Sequence, residues 1–183
     1  NLPAPATWTG NNYYTGTTVG SDGWINGMNV YLDKQKAMYF DASASSNTIL
    51  NNVYVAFGRA YSATPSKIIP ITIYDGTSGT PGAALGTTNL TMGQIMTDVS
   101  GGFYTEASFV NNPVTLPATK KFFVSVGLTN LQWTAGVKDT LSVVSNVNGQ
   151  TTPSAIWEQQ SDNNWYQYTT AGSWNLSASL FVH

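Results

Sequence analysis

The residue types that most often carry catalysis are nearly missing from this chain. It holds one histidine, His183 at its last position, and no cysteine among 183 residues. A Ser-His-Asp arrangement needs an imidazole between nucleophile and acid, and zinc needs several nitrogen or sulfur ligands. The composition supplies neither. No glycine-rich phosphate-cradling motif is present. A glycosidase asks only for two carboxyls roughly 5 to 9.5 Å apart, and the two glutamates are Glu106 and Glu158. Glu106 falls on the outward side of its strand, and Glu158 stands beside Trp157. Both read as solvated strand residues, so the chain is expected to be no enzyme.

Oxygen ligands are better supplied. Asp22, Asp33, Asp75, Asp139 and Asp162 all sit in turn-like stretches, often beside Asn or Gly. Hard cations take carboxylate, carbonyl and amide oxygens from such loops. No EF-hand spacing occurs, so a site would be assembled from distant loops, with Asp22, Asp33 and Asp139 as candidate ligands of a structural calcium. Aspartate also favours turns because it bonds its own backbone, and that reading stands beside the first.

The positive signal is aromatic. Phe, Trp and Tyr make up 13% of the chain. One stretch gathers Trp157, Glu158, Gln160, Asp162, Asn164, Trp165 and Tyr166 around a single predicted hairpin. A flat ring stacks on the C–H face of a sugar while amides and carboxylates bond its hydroxyls. This set is the candidate ligand site, with Tyr13, Tyr14, Trp24, Trp133 and Tyr168 as further outward rings. β-Sandwiches also bury tryptophan, and Trp157 and Trp174 carry that second reading.

The elements that must position these groups are extended. Alternating apolar residues mark strands over residues 36–41, 49–61, 67–74, 84–90, 103–109, 121–128 and 140–145. Residues 154–159 and 165–170 form the hairpin, joined by Ser161-Asp162-Asn163-Asn164. A closing strand runs over 174–182, where Trp174, Leu176, Ala178, Leu180 and Val182 recur with period two. Residues 91–98 are the one place for a helical turn, and residues 1–10 read as a linker-like lead-in. About ten strands with turn signals between them predict an all-β, single-domain antiparallel β-sandwich, jelly-roll-like, spanning 1–183.

Charged residues are only 9%, against roughly 25% in ordinary soluble domains. Solubility falls to 24 Thr, 17 Ser and 17 Asn. A net charge of -2 offers no basic surface, so nucleic acid is not an expected partner. No apolar run reaches the ~18 residues of a membrane span, so no membrane insertion is expected.

Several segments, in order, carry a resemblance. They are Ala37-Met38-Tyr39-Phe40, Gly79-Thr80-Pro81-Gly82-Ala83-Ala84-Leu85-Gly86, Phe122-Phe123-Val124-Ser125-Val126, Asp139-Thr140-Leu141-Ser142-Val143-Val144-Ser145, and Ala155-Ile156-Trp157-Glu158-Gln159 closing through Trp165 to Trp174. From about Tyr14 onward the chain resembles a β-sandwich accessory or adhesive domain of secreted, type IX-exported Bacteroidetes surface proteins. The resemblance implies a secreted or cell-surface, non-catalytic module of a larger protein, with polysaccharide, another glycan or neighbouring domains as partners. It also implies that Asp139-Thr140-Leu141 is an O-glycosylation acceptor modified at Thr140. The alternative expectation is a structural spacer or protein-binding adhesin domain with no small-ligand site.

Overall fold

Val, Ile, Thr and aromatic residues with period two can hide one face only by pairing and stacking sheets. The computed structural model describes residues 22–134, 136–151 and 153–183. Its strands are β1 (Gln35–Asp41), β2 (Ile49–Leu50), β3 (Asn52–Val55), β4 (Phe57–Tyr61), β5 (Ile68–Asp75), β6 (Ala84–Thr91), β7 (Thr105–Ser108), β8 (Val114–Thr115), β9 (Lys121–Gly127), β10 (Trp133–Thr134), β11 (Val137–Lys138), β12 (Thr140–Val143), β13 (Ile156–Gln159) and β14 (Trp165–Gln167). One helix, α1 (Met92–Gly101), follows β6. The expected all-β, sandwich-like architecture is what forms.

The larger layer is an antiparallel sheet in the order β14-β13-β1-β9-β5-β6. Facing it are shorter pairs, β12 with β4, β3 with β7, and β2 with β8. One apolar core lies between the layers. The sheet contributes Met38, Ile69, Ile71, Ile73, Val124, Val126 and Ile156, and the pairs contribute Val53, Val55, Phe57, Ala107, Leu141 and Val143.

Three expectations change in detail. The strand anticipated over 49–61 is broken, because the chain changes neighbours on the way: β3 pairs with β7, whereas β4 pairs with β12. At the break the Ala56 amide donates to Phe181 O at 3.0 Å, and the Ala56 carbonyl accepts from Val144 N at 2.8 Å. The single helical turn is a ten-residue helix. Thr91 caps it by accepting from Gln94 N, Gly102 ends it at φ 72°, and it buries Met92 and Ile95. The closing strand is reduced to two bridges, Leu180 to Ser145 and Val182 to Val55, although Ala178, Leu180 and Val182 are buried as the period predicts.

Gly27 shows how tightly the edge closes. It bridges Ser142, and a Cβ there would stand 1.8 Å from the Leu141 carbonyl oxygen. The backbones meet only because there is no side chain between them.

Candidate functional site

The hairpin forms where expected, with Trp157 opposite Gln167, Glu158 opposite Tyr166 and Gln159 opposite Trp165. Side chains on a strand alternate between faces, so neighbours in this sequence do not share a surface. The predicted set separates into three groups.

The first is on the outer face of the six-stranded sheet. Met38, Val124, Ile73 and Ile156 occupy one line of the register and are buried in the core. The next positions point the other way: Ala37 opposite Trp157 and Ser125, and Tyr39 opposite Phe123, which faces Tyr74. Trp165 belongs to that outer face through Gln159 and Gln35. Five rings from five strands meet there. Phe123 lies 5.1 Å from Tyr39 and 5.9 Å from Trp157, and Tyr74 meets Trp165 edge-on at 5.6 Å between centroids. Polar groups run between them. Gln35 Oε1 accepts from Ser125 Oγ at 2.6 Å and Tyr74 OH at 3.1 Å, and Gln35 Nε2 donates to Gln159 Oε1 at 2.8 Å. Trp157, Trp165, Tyr39, Tyr74, Gln35 and Gln159 are each half-buried.

The second group is buried on the opposite face. Glu158 is 1% exposed and is not a solvated residue. Its Oε2 accepts from Lys36 Nζ and from Trp174 Nε1, both at 2.6 Å. Its Oε1 accepts from Gln160 Nε2 and Ser173 Oγ, both at 2.8 Å. Lys36, 0% exposed, also donates to Asp33 Oδ2 at 2.7 Å. Its ammonium lies 5.5 Å from the Tyr168 ring centroid and 5.6 Å from that of Trp174. Burial alone would raise the Glu158 pKa, but the Lys36 charge and the donated hydrogen bonds outweigh it and hold the carboxyl below its usual range. Burial likewise works against the Lys36 ammonium, and the Tyr168, Glu158 and Asp33 oxygens reverse that and raise its pKa.

The third group is the turn itself. Asp162 accepts from Asn164 Nδ2 at 2.9 Å and from Tyr166 OH at 2.8 Å. These three side chains hold the turn together and are bonded to one another.

Other expected positions are corrected. Tyr168, taken as an outward ring, is fully buried, and its OH donates to the Ile25 carbonyl at 2.8 Å. Trp24 and Trp133 are half-buried, the latter beneath Lys138 Nζ at 4.6 Å. Tyr13, Tyr14 and the lead-in over residues 1–10 lie outside the described residues. The aspartates proposed for calcium do not converge: among the described residues no three acidic or histidine side chains come together to hold an ion. Asp33 is paired with Lys36, and buried Asp139 with Lys67 at 2.5 Å, so a lysine stands where a cation was expected. Thr140, the expected glycosylation acceptor, is half-buried at the start of β12 opposite Tyr61.

Beside the Glu158 cluster opens a cleft of about 370 Å³, lined by Tyr31, Asp33, Glu158, Gln160, Ser173 and Trp174 together with Ser161 and Gly172. A larger cleft, about 790 Å³, is walled by apolar side chains such as Phe40, Leu50, Leu116 and Phe122 and by the amides of Asn47, Asn51 and Asn52.

Sequence reasoning missed Lys36, Tyr31, Gln35 and Tyr74 as members of these sites. Lys36 had a legible signal, since it shares its strand face with inward Met38. Tyr31 stands in the turn before β1 and Tyr74 on β5, and Gln35 joins the site only through its pairing with Gln159 of β13. No protein-family model, curated protein or solved structure matches this chain.

Proposed function

We propose that this protein is a non-catalytic binding module for polysaccharide or another glycan, and that the outer face of the six-stranded sheet is the binding surface. The observation that carries this is the set of four half-buried rings, Tyr39, Trp157, Tyr74 and Trp165, laid around buried Phe123 and crossed by the Gln35–Gln159 amide row. Rings presented on a rigid sheet lose little freedom on binding, and amides between them suit hydroxyls. Trp157 and Trp165 of the predicted set belong to this surface, while Glu158, Gln160, Asp162, Asn164 and Tyr166 lie off it, in the buried cluster and the turn. The non-catalytic reading draws on the state of Glu158. A general acid needs a raised pKa, and this carboxyl is held ionised by four donors.

The resemblance to type IX-exported surface domains supports a secreted or cell-surface setting as part of a larger protein. No helix among the described residues is long and apolar enough to cross a membrane. Affinity electrophoresis and calorimetry against a polysaccharide panel test the reading. Binding by the native protein that is lost in Trp165→Ala and Trp157→Ala is expected; no ligand in the panel, or no change on substitution, removes it.

One observation favours the alternative, a spacer or protein-binding adhesin domain: the rings pack on one another, and Phe123 is wholly buried. Acrylamide quenching separates the two. Tryptophan emission that stays blue and unquenched fits the spacer.

A further inference from the structure

The cleft beside Glu158 has a composition of its own. Two carboxylates, Asp33 and Glu158, share one ammonium, Lys36, so the group carries one uncompensated negative charge. Lys34, the nearest other cation in sequence, is bonded away to Asn163 Oδ1. Glu158 is saturated, but Asp33 is not. Asp33 is 4% exposed and takes its hydrogen bonds from Asn29 Nδ2 and Lys36 Nζ on Oδ2 alone. Its Oδ1 accepts nothing among the described residues and belongs to a side chain that lines the cleft. That oxygen is not among the buried side-chain atoms left without a partner, which among the described residues are Asn52 Oδ1, Thr105 Oγ1 and Ser142 Oγ. It is therefore open to a donor from the cleft, and a charged donor there gives the stronger bond.

The walls are aromatic. Tyr31 meets Trp174 edge-on at 5.7 Å. Tyr31 is 55% exposed between Val30 and Leu32, which are also exposed, and Leu32 holds a left-handed backbone at φ 57°. A non-glycine residue there is strained and persists only where its surroundings hold it. Here Asn29 does so. Its Oδ1 accepts from Tyr31 N at 3.1 Å, its carbonyl from Leu32 N at 3.2 Å, and its Nδ2 reaches Asp33. The same asparagine positions the exposed ring and the Asp33 carboxylate. Around the rim stand Gln160, Ser161 and Ser173.

We infer that this cleft takes an amino sugar with a free, protonated amine: the ammonium on Asp33 Oδ1, the C–H face against Tyr31 and Trp174, and hydroxyls to the Gln160, Ser161 and Ser173 rim. A cation beside aromatic faces and a net negative group is favoured twice over, and 370 Å³ is within the range of small-ligand clefts. The inference takes the glycan class from the function proposed above, but the site is separate from the sheet face and is tested separately.

The test follows the Trp174 indole N–H signal by NMR in the whole chain, titrated with glucosamine, N-acetylglucosamine and n-butylammonium. Saturable shifts with glucosamine, weaker by about tenfold or more with the acetylated sugar and with the plain amine, are expected from the loss of charge or of ring and hydroxyl contacts. Tyr31→Ala, at an exposed position, should weaken glucosamine about tenfold while leaving the native spectrum otherwise intact. Glucosamine binding retained when no polysaccharide binds the sheet face still supports the cleft. Equal shifts with N-acetylglucosamine, equal shifts with n-butylammonium, no effect of Tyr31→Ala, or no shift at all would each overturn it.

Discussion

Lys36 and Glu158 stand directly opposite each other across the β1–β13 ladder, and their side chains meet at 2.6 Å with neither reaching solvent. Asp33, three residues before Lys36, closes the group from the same strand's approach. Removing one member of such a buried set costs far more than the set contributes as a whole, because the partner charge is left without compensation.

Lys36→Met is therefore expected to destabilise the fold by about 3–5 kcal/mol. It should also invert the pH dependence. Without the ammonium, burial raises the Glu158 pKa above its unfolded value, so the variant gains stability as the pH falls towards 4.5. Urea denaturation at pH 7 and pH 4.5 measures both effects; a variant as stable as the parent at pH 7 contradicts the charge-compensation argument.

The native protein has the opposite slope. The folded pKa of Glu158 lies below its ordinary value of 4.5, and that of Asp139 below 3.8. A depressed acid contributes stability above its unfolded pKa and loses it as the pH falls through the folded one. The raised Lys36 pKa contributes throughout that range and is lost only in strong alkali. Melting temperature should be level from about pH 6 to 9 and fall steeply below about pH 4. A Tm that holds level to pH 3 speaks against both pairs.

Chelation should do nothing. Asp33 and Asp139 are ion-paired with Lys36 and Lys67, and among the described residues no three acidic or histidine side chains converge on an ion site, so the melting midpoint should not move with EDTA. A drop with EDTA that calcium restores would mean that an ion binds through other ligands.

Tyr168→Phe removes a buried hydroxyl that donates to the Ile25 carbonyl and also stands beside the Lys36 ammonium. It keeps the ring beside Lys36 but strands the Ile25 carbonyl, which accepts from the Tyr168 OH at 2.8 Å. A loss of roughly 1–3 kcal/mol is expected in denaturant titration. A neutral result would mean that water replaces the hydroxyl.

On the outer face, Trp165→Ala should lower the affinity of any polysaccharide that binds by about tenfold or more, one stacking ring's share. Its effect on stability should be smaller than that of Trp157→Ala, since Trp157 also covers Phe123. Calorimetry and thermal melts on the two variants read these together, and an unchanged affinity in both would remove the sheet face as the site.

Period-two alternation settled much of this molecule before any coordinates. It marked β1, β5, β6, β9 and the β13–β14 hairpin within a residue or two at most ends, because a strand with one buried face must write that face into every second position. The same rule makes Glu158 and Trp157 point apart, and places Lys36 with Met38. What local pattern does not carry is which strands become neighbours. The order β14-β13-β1-β9-β5-β6 brings Tyr74 to Trp165 and Lys36 to Glu158 across 91 and 122 residues of chain, and such pairings are chosen by packing of the whole core. Charge went the same way. Glu158 read as a solvated strand residue, and Asp33 and Asp139 as turn aspartates that could hold an ion, since isolated carboxylates belong in water or on a cation. Only the folded arrangement, by delivering Lys36 to Asp33 and Glu158 together and Lys67 to Asp139, made it favourable to bury them.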